Sequence, residues 1–319
     1  MKFSVISSFL GKSKDRFNEY NSPKTLAEKF EIASRIDGIE ALECVYPYEV
    51  NNIEETKNLM QKYNLKISAI NVNVKAEPEF VNGGLTSPDK KVREKAVRFI
   101  KEAKDFAEGV GSDKVTCCPL GDGYEFAFQA DYEDNWNRLK ETFSEAADYK
   151  PEIKLFIEYK PSEIRGKCFL ENAAKTIILI KEIGKEGLGV TMDFGHSMYG
   201  GGNPAEEISL LHSCNVPYYV HINDNDGKWD WDYFCGSKHI IENLEFVYYL
   251  KKYGYDDYLT SDTSPTRWNI VKVFEANNNF TSKMEQIINK MEADGFEKVR
   301  NDPDFMKVWA FIEKHLYSC

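Results

Sequence analysis

What most constrains this chain is a rhythm: short β-branched apolar runs alternate with longer amphipathic stretches from one end to the other. The runs fall at Phe3 to Ser8, Gly38 to Val45, Lys66 to Val74, Asp113 to Cys118, Ile153 to Tyr159, Leu188 to Asp193, Val216 to Asn223 and Asp257 to Asp262. Parallel strands need a crossover of a dozen or more residues, usually a helix, and strands covered on both faces read as nearly continuous apolar runs. Helical spacing of charged and apolar residues over Lys91 to Ala107 and Asn135 to Ala147 supplies such crossovers, with Pro161, Pro204 and Pro265 in loops or at helix starts. Eight βα units predict a parallel α/β architecture, either closed or open. An open doubly wound sheet would carry a glycine-rich phosphate turn after an early strand. None is present, and Gly200-Gly201-Gly202 follows the sixth run without that pattern, so it reads as a flexible loop. The expectation is a (β/α)8 TIM barrel in a single domain over residues 1–319. Residues 267–319 would form the last barrel helix and a C-terminal helical extension packed on the barrel or on a neighbouring subunit.

A formal net charge of -11 opposes approach to a phosphate backbone, which excludes nucleic acid as the expected partner and favours a small neutral molecule. The seven cysteines lack CxxC spacing and read as reduced thiols. The first residues enter a β-like run without a signal-peptide core, and no segment is apolar for long enough to span a bilayer. A cytoplasmic protein with no membrane partner is expected.

The chemistry-bearing residues concentrate at the ends of the later runs. Glu158 ends the fifth, Asp193 the sixth and Asp262 the eighth, while His221 falls late in the seventh. In a parallel barrel those ends meet on one rim, so carboxylates and an imidazole far apart in sequence would surround one point and suit a divalent cation. A second set, Asp193-Phe-Gly-His196 with Asp230-x-Asp232, lies beside the first and could hold another cation. In Glu158-Tyr159-Lys160, strand alternation sends the glutamate and the lysine to one face, where an ammonium can polarise a substrate oxygen. Glu43, Tyr46, Asn71 and Asn73 lie near early strand ends as candidate hydroxyl-binding groups. Arg165, Trp231, Trp229, Tyr124 and Phe126 lie in expected rim loops, where a surface ion pair for Arg165 and plain loop packing for the rings are the competing readings. Cys117 and Cys118 precede Pro119 with no adjacent base, which disfavours a nucleophilic role. Asp224 and Asp226 are set aside as loop acids.

Taken as a set, Glu158-x-Lys160, Asp193-x-x-His196, His221, Asp230-x-Asp232 and Asp262 resemble the xylose isomerase-like barrels over most of the chain. Within them the chain looks most like the two-metal aldose-ketose isomerases of the L-rhamnose isomerase kind. The resemblance implies that Glu158, Asp193, His221 and Asp262 hold a structural ion. It implies that Asp193, His196, Asp230 and Asp232 hold a catalytic one, with Lys160 near the substrate carbonyl. Lys160, His196, Asp230 and Asp232 are thus the catalytic candidates, and Glu43, Asn73, Lys160, Arg165 and Trp231 the substrate-binding ones. The implied reaction is C1/C2 hydrogen transfer in a sugar, assisted by two divalent cations, Mn2+ first and Co2+, Mg2+ or Zn2+ as alternatives, in a homodimer or homotetramer. One departure stands out: all five histidines lie in the second half of the chain, whereas family members often carry one on an early strand, at the sugar ring oxygen. The alternatives are a ketose 3-epimerase of the same superfamily, with one metal and two opposed acids, an AP endonuclease-like protein, and a non-catalytic sugar-binding barrel.

Overall fold

The computed structural model describes residues 1–317, so Cys319 lies outside the described residues. The eight apolar runs become β1 (Lys2–Ile6), β2 (Ile39–Tyr46), β3 (Lys66–Val72), β4 (Lys114–Cys117), β5 (Lys154–Glu158), β6 (Leu188–Asp193), β7 (Tyr218–Ile222) and β8 (Tyr258–Ser261). They pair in parallel, each with its sequence neighbours, and β8 returns to β1 to close the barrel. The fold is a (β/α)8 TIM barrel. Several expected runs reached past the true strand ends. Ser7–Leu10 forms a short 3-10 turn, and Asp262 follows β8 while its N–H still donates to Ile222 O at 3.1 Å.

Helices α1 (Leu26–Ala33), α2 (Ile53–Tyr63), α3 (Lys90–Val110), α4 (Tyr132–Asp148), α5 (Ala173–Ile183), α6 (Phe194–Tyr199), α7 (Pro204–Ser213), α8 (Ile240–Lys252), α9 (Ile270–Ala293) and α10 (Phe305–Leu316) complete the units. Their starts are written in the βα loops. Thr25 and Glu28 form a reciprocal capping box on α1, and Asn52, Asp89, Asp131, Asn172, Asn203 and Asn269 each accept a backbone N–H at the head of a helix. Pro204 occupies the first turn of α7, where its missing N–H costs nothing. Past Arg267, α9 and α10 pack outside the barrel against α8 through Leu244, Val247, Tyr248, Met284, Ile288, Met291, Phe296 and Val308.

Inside the barrel, Ala69, Phe156 and Tyr219 from the alternate strands β3, β5 and β7 pack together, the layering expected of a filled barrel. Gly189 on β6 makes room for them: a Cβ there would lie 2.6 Å from the Phe156 ring and 2.7 Å from Pro217 O. The Gly200-Gly201-Gly202 run is a loop, as expected, and part of it is closely packed. It joins α6 to α7 in close contact at two of its three positions, since a Cβ on Gly200 would meet Pro161 Cγ at 2.9 Å and one on Gly202 would meet Glu207 Oε1 at 2.8 Å, while one on Gly201 would meet nothing within 4 Å. The cysteines among the described residues are free, and no helix among those residues is long and apolar enough to cross a membrane.

Candidate active site

At the C-terminal rim, one ligand atom from each of Glu158, Asp193, His221 and Asp262 lies within 4.8 Å of all the others. Their positions follow from register: Asp193 and His221 are paired across β6 and β7, Glu158 ends β5, and Asp262 leaves β8 beside Ile222. Glu158, Asp193 and His221 are buried, and the Asp262 side chain is 16% exposed. The donor set fits a divalent cation for two reasons. His221 Nδ1 is buried with no hydrogen-bond partner and stands 3.5 Å from both Glu158 Oε1 and Asp262 Oδ2. The carboxylates are also crowded: burial first, then the charges of Asp262, Asp230 and Glu158, lift Asp193 to about 7 against the pull of His196. Burial lifts Glu158 too, but His221 and then His196 outweigh it and hold that carboxyl at about 2.

The second expected set lies alongside. His196 Nδ1, also buried without a hydrogen-bond partner, is 3.4 Å from Glu158 Oε1 and 3.8 Å from Asp193 Oδ1, while its Nε2 meets Asp230 Oδ2 at 3.1 Å. Asp230 Oδ2 also receives Lys160 Nζ at 2.9 Å, and Lys160 reaches Glu163 on its other side. Burial would discharge Lys160, but Asp230, Glu163 and Asp232 raise its pKa well above the ordinary lysine value. Asp232 is driven well above the carboxylate range by burial and by the charges of Asp230 and Asp262. Asp193, His196 and Asp230 thus form a chain of neighbours, with Asp230 drawn into an ion pair with Lys160, while Asp232 is linked to them only through the charges it feels.

Two acids set aside in the sequence build the loop that carries Asp230 and Asp232. Asp224 accepts from the backbone N–H groups of Lys238 and His239 and from His239 Nδ1, and Asp226 accepts from Lys228 N and Trp231 Nε1. Asn223 escaped the sequence reading. Its Nδ2 donates to both Asp193 oxygens at 3.2 and 3.0 Å, and its Oδ1 accepts from Gly195 N at 2.7 Å. Asp193 additionally caps α6 by accepting from His196 N at 2.8 Å. An amide two residues after a strand-end histidine was the available signal.

Several substrate-contact candidates have other employment. Glu43 is fully buried, its Oε1 accepting from Asn71 Nδ2 and Thr116 Oγ1 and its Oε2 bonded to His221 Nε2, so no oxygen is left to face a sugar hydroxyl. Asn73 turns back to accept from the backbone of Lys75 and Ala76, which fixes the loop after β3. Arg165 pairs with Glu125, its side chain 71% exposed. Tyr46 donates to Glu102 on α3. Trp231 remains half exposed and Phe126 exposed, while Trp229 packs edge-on against Tyr199 and Tyr124 packs against Tyr132 and Phe169. Burial pushes the thiols of Cys117 and Cys118 well above their ordinary value, which removes them as nucleophiles.

Comparison with known proteins agrees with the barrel fold. The xylose isomerase of Thermus thermophilus is 23% identical over 209 residues, 64% of this chain and 54% of that enzyme, so the match spans about half the length of that relative. Among solved structures, a D-tagatose 3-epimerase-like protein superimposes with a TM-score of 0.71 at 23% identity, covering 91% of this chain and 99% of the other. An L-ribulose 3-epimerase superimposes with a TM-score of 0.73 at 18% identity, covering 95% of this chain and all of the other. Residues 30–284 match the family described as xylose isomerase-like TIM barrel, and the chain belongs to that family.

Proposed function

We propose that this protein is a divalent-cation-dependent isomerase that interconverts an aldose and its ketose. The observation that carries the reading is the buried line Lys160, Asp230, His196 beside the four-residue cluster. A single-metal site needs only the cluster; an added ammonium, imidazole and pair of aspartates suits a reaction that moves hydrogen between a carbonyl carbon and its hydroxyl-bearing neighbour. Glu158, Asp193, His221 and Asp262 would hold one cation and Asp193, His196, Asp230 and Asp232 another, with Mn2+ first among candidates. Cations there would polarise a carbonyl oxygen and lower the pKa of a neighbouring hydroxyl. Lys160, kept as an ammonium by Asp230, donates a hydrogen bond to the oxygen on which charge develops. Asp230 stays ionised, since His196 and Lys160 outweigh the effect of burial, and so holds Lys160 in place. Half-exposed Trp231 offers a ring face to a neutral sugar. A homodimer or homotetramer is part of the proposal.

The test is incubation with a panel of pentoses, deoxyhexoses and branched pentoses in Mn2+ or Co2+, with and without chelator, following ketose formation. Chelator-sensitive conversion of an aldose to its ketose supports the reading, and absence of conversion across the panel counts against it.

A ketose 3-epimerase is the second reading, favoured by the two epimerase-type structures that superimpose along nearly the whole chain. Epimerisation asks for opposed acids on the two faces of one carbon. Here the β8 acid is the short Asp262, held toward the cluster with Oδ2 3.5 Å from His221 Nδ1. A product inverted at C3 with no aldose formed, and one ion per chain, would decide for the epimerase.

A further inference from the structure

Glu43 lies on β2, a strand that supplies no member of the four-residue cluster, yet it is wholly buried inside the barrel and bonded across it to β7. We infer that Glu43 is a positioning residue that keeps the ring hydrogen of His221 on Nε2 and so leaves the Nδ1 lone pair for a cation that Glu158 and Asp262 would share. The inference rests on the cluster being a cation site.

A neutral imidazole has one N–H and one lone pair, and an ionised carboxylate can only accept. The partner of one ring nitrogen therefore decides the state of the other. Glu43 Oε2 lies 3.0 Å from His221 Nε2, and Oε1 is occupied by Asn71 Nδ2 at 2.9 Å and Thr116 Oγ1 at 2.6 Å. A buried carboxylate is costly unless several donors hold it, and these three do. The Tyr219 ring stands edge-on to the imidazole, with centroids 5.7 Å apart and planes at 75°, which limits its rotation. On the far side Nδ1 is buried without a hydrogen-bond partner, 3.5 Å from carboxylate oxygens of both Glu158 and Asp262. Carboxylate, imidazole and cluster thus stand in line, the arrangement by which outer groups orient metal-binding histidines.

Glu43→Gln tests this, because Asn71 Nδ2 has only hydrogens to offer. It selects the glutamine carbonyl for the Oε1 position and turns the new NH2 toward Nε2. The ring answers by carrying its hydrogen on Nδ1, which removes the ligand. Zn2+ alone is the probe. The expected result is a fall of about 10–100-fold in Zn2+ affinity, measured by competition with a chromogenic chelator, with the melting temperature of the metal-free protein near that of the parent. Long-range 15N–1H spectra of the Zn2+-loaded parent should show the His221 hydrogen on Nε2, a measurement that holds even if the variant fails to fold. A hydrogen on Nδ1 in the loaded parent, or unchanged Zn2+ affinity in Glu43→Gln, overturns the inference alone. Failure of the parent to bind Zn2+ at all overturns the cation reading and this inference with it.

Discussion

Lys160 and Asp230 form an ion pair of 2.9 Å between the end of β5 and the loop after β7, with side chains only 11% and 4% exposed. Charges this deep are costly to separate. Removing one partner of a buried pair costs roughly 3–5 kcal/mol because the other is left uncompensated, whereas exposed pairs contribute little. The pair therefore fixes the approach of the 224–239 loop to the barrel rim and places an ammonium beside the cluster.

Lys160→Ala leaves Asp230 paired with His196 and does not touch Glu158, Asp193, His221 or Asp262. Mn2+ binding, followed by electron paramagnetic resonance, should persist, while turnover should fall by about 100–1,000-fold, the usual loss for a donor to developing oxyanion charge. Near-normal turnover would remove Lys160 from the reaction.

Asp230→Ala takes away a carboxylate that serves both Lys160 and His196. One of two Mn2+ ions should be lost selectively while the four-residue cluster keeps its own, giving a single binding phase. Urea titration should show a destabilisation smaller than the roughly 3–5 kcal/mol of a buried charge left without a partner, because Lys160 keeps Glu163.

Much of this arrangement was legible in the sequence because a parallel barrel converts position along a strand into position in space. Glu158, Asp193, His221 and Asp262 could be placed on one rim from strand order alone, and the matching cluster lies there. Glu43 was legible only as a strand-end acid. Whether such a side chain faces a ligand or crosses the barrel to another strand depends on shear and on neighbours such as Asn71 and Thr116, which periodicity does not encode. The local partners of Asn73 were hidden for a related reason, whereas the surface ion pair weighed for Arg165 is the contact that forms. Loop side chains first satisfy local backbone groups and nearby opposite charges, Lys75 and Ala76 for the one and Glu125 for the other. The glycine run between α6 and α7 looked like slack chain, but its lack of side chains permits contact with Pro161 and Glu207.

Gly189→Ala should test the filled interior. The added methyl meets the Phe156 ring and Pro217 O, and neither can withdraw without disturbing the layer shared with Ala69 and Tyr219. A loss of about 1–3 kcal/mol in denaturant titration is expected, as for other overpacked cores.

Lys104 gives a pH signature remote from the site. Its Nζ donates to Tyr149 O at 2.7 Å, and burial pushes its pKa down to about 8, against the opposing influence of Glu152 and Asp148. Between about pH 8 and the ordinary lysine value near 10.5, the unfolded chain holds more protons than the folded one at this position. The Lys104 contribution to stability therefore rises with pH through that window, and Lys104→Met should abolish that component. Urea titrations at pH 7.5, 9 and 10 on both proteins read the difference in slope.

The barrel is sealed where β8 lies against β1, from Lys2 opposite Tyr258 to Val5 opposite Ser261. Asp262 is the next residue after that seam, and its cluster partners Glu158, Asp193 and His221 come from the three preceding strands. An ion gripped by all four thus requires β5 to β8 to be assembled side by side, so its capture would report formation of the C-terminal half of the barrel. A chain still emerging from the ribosome would present three of these groups and lack the fourth until its last strand was made.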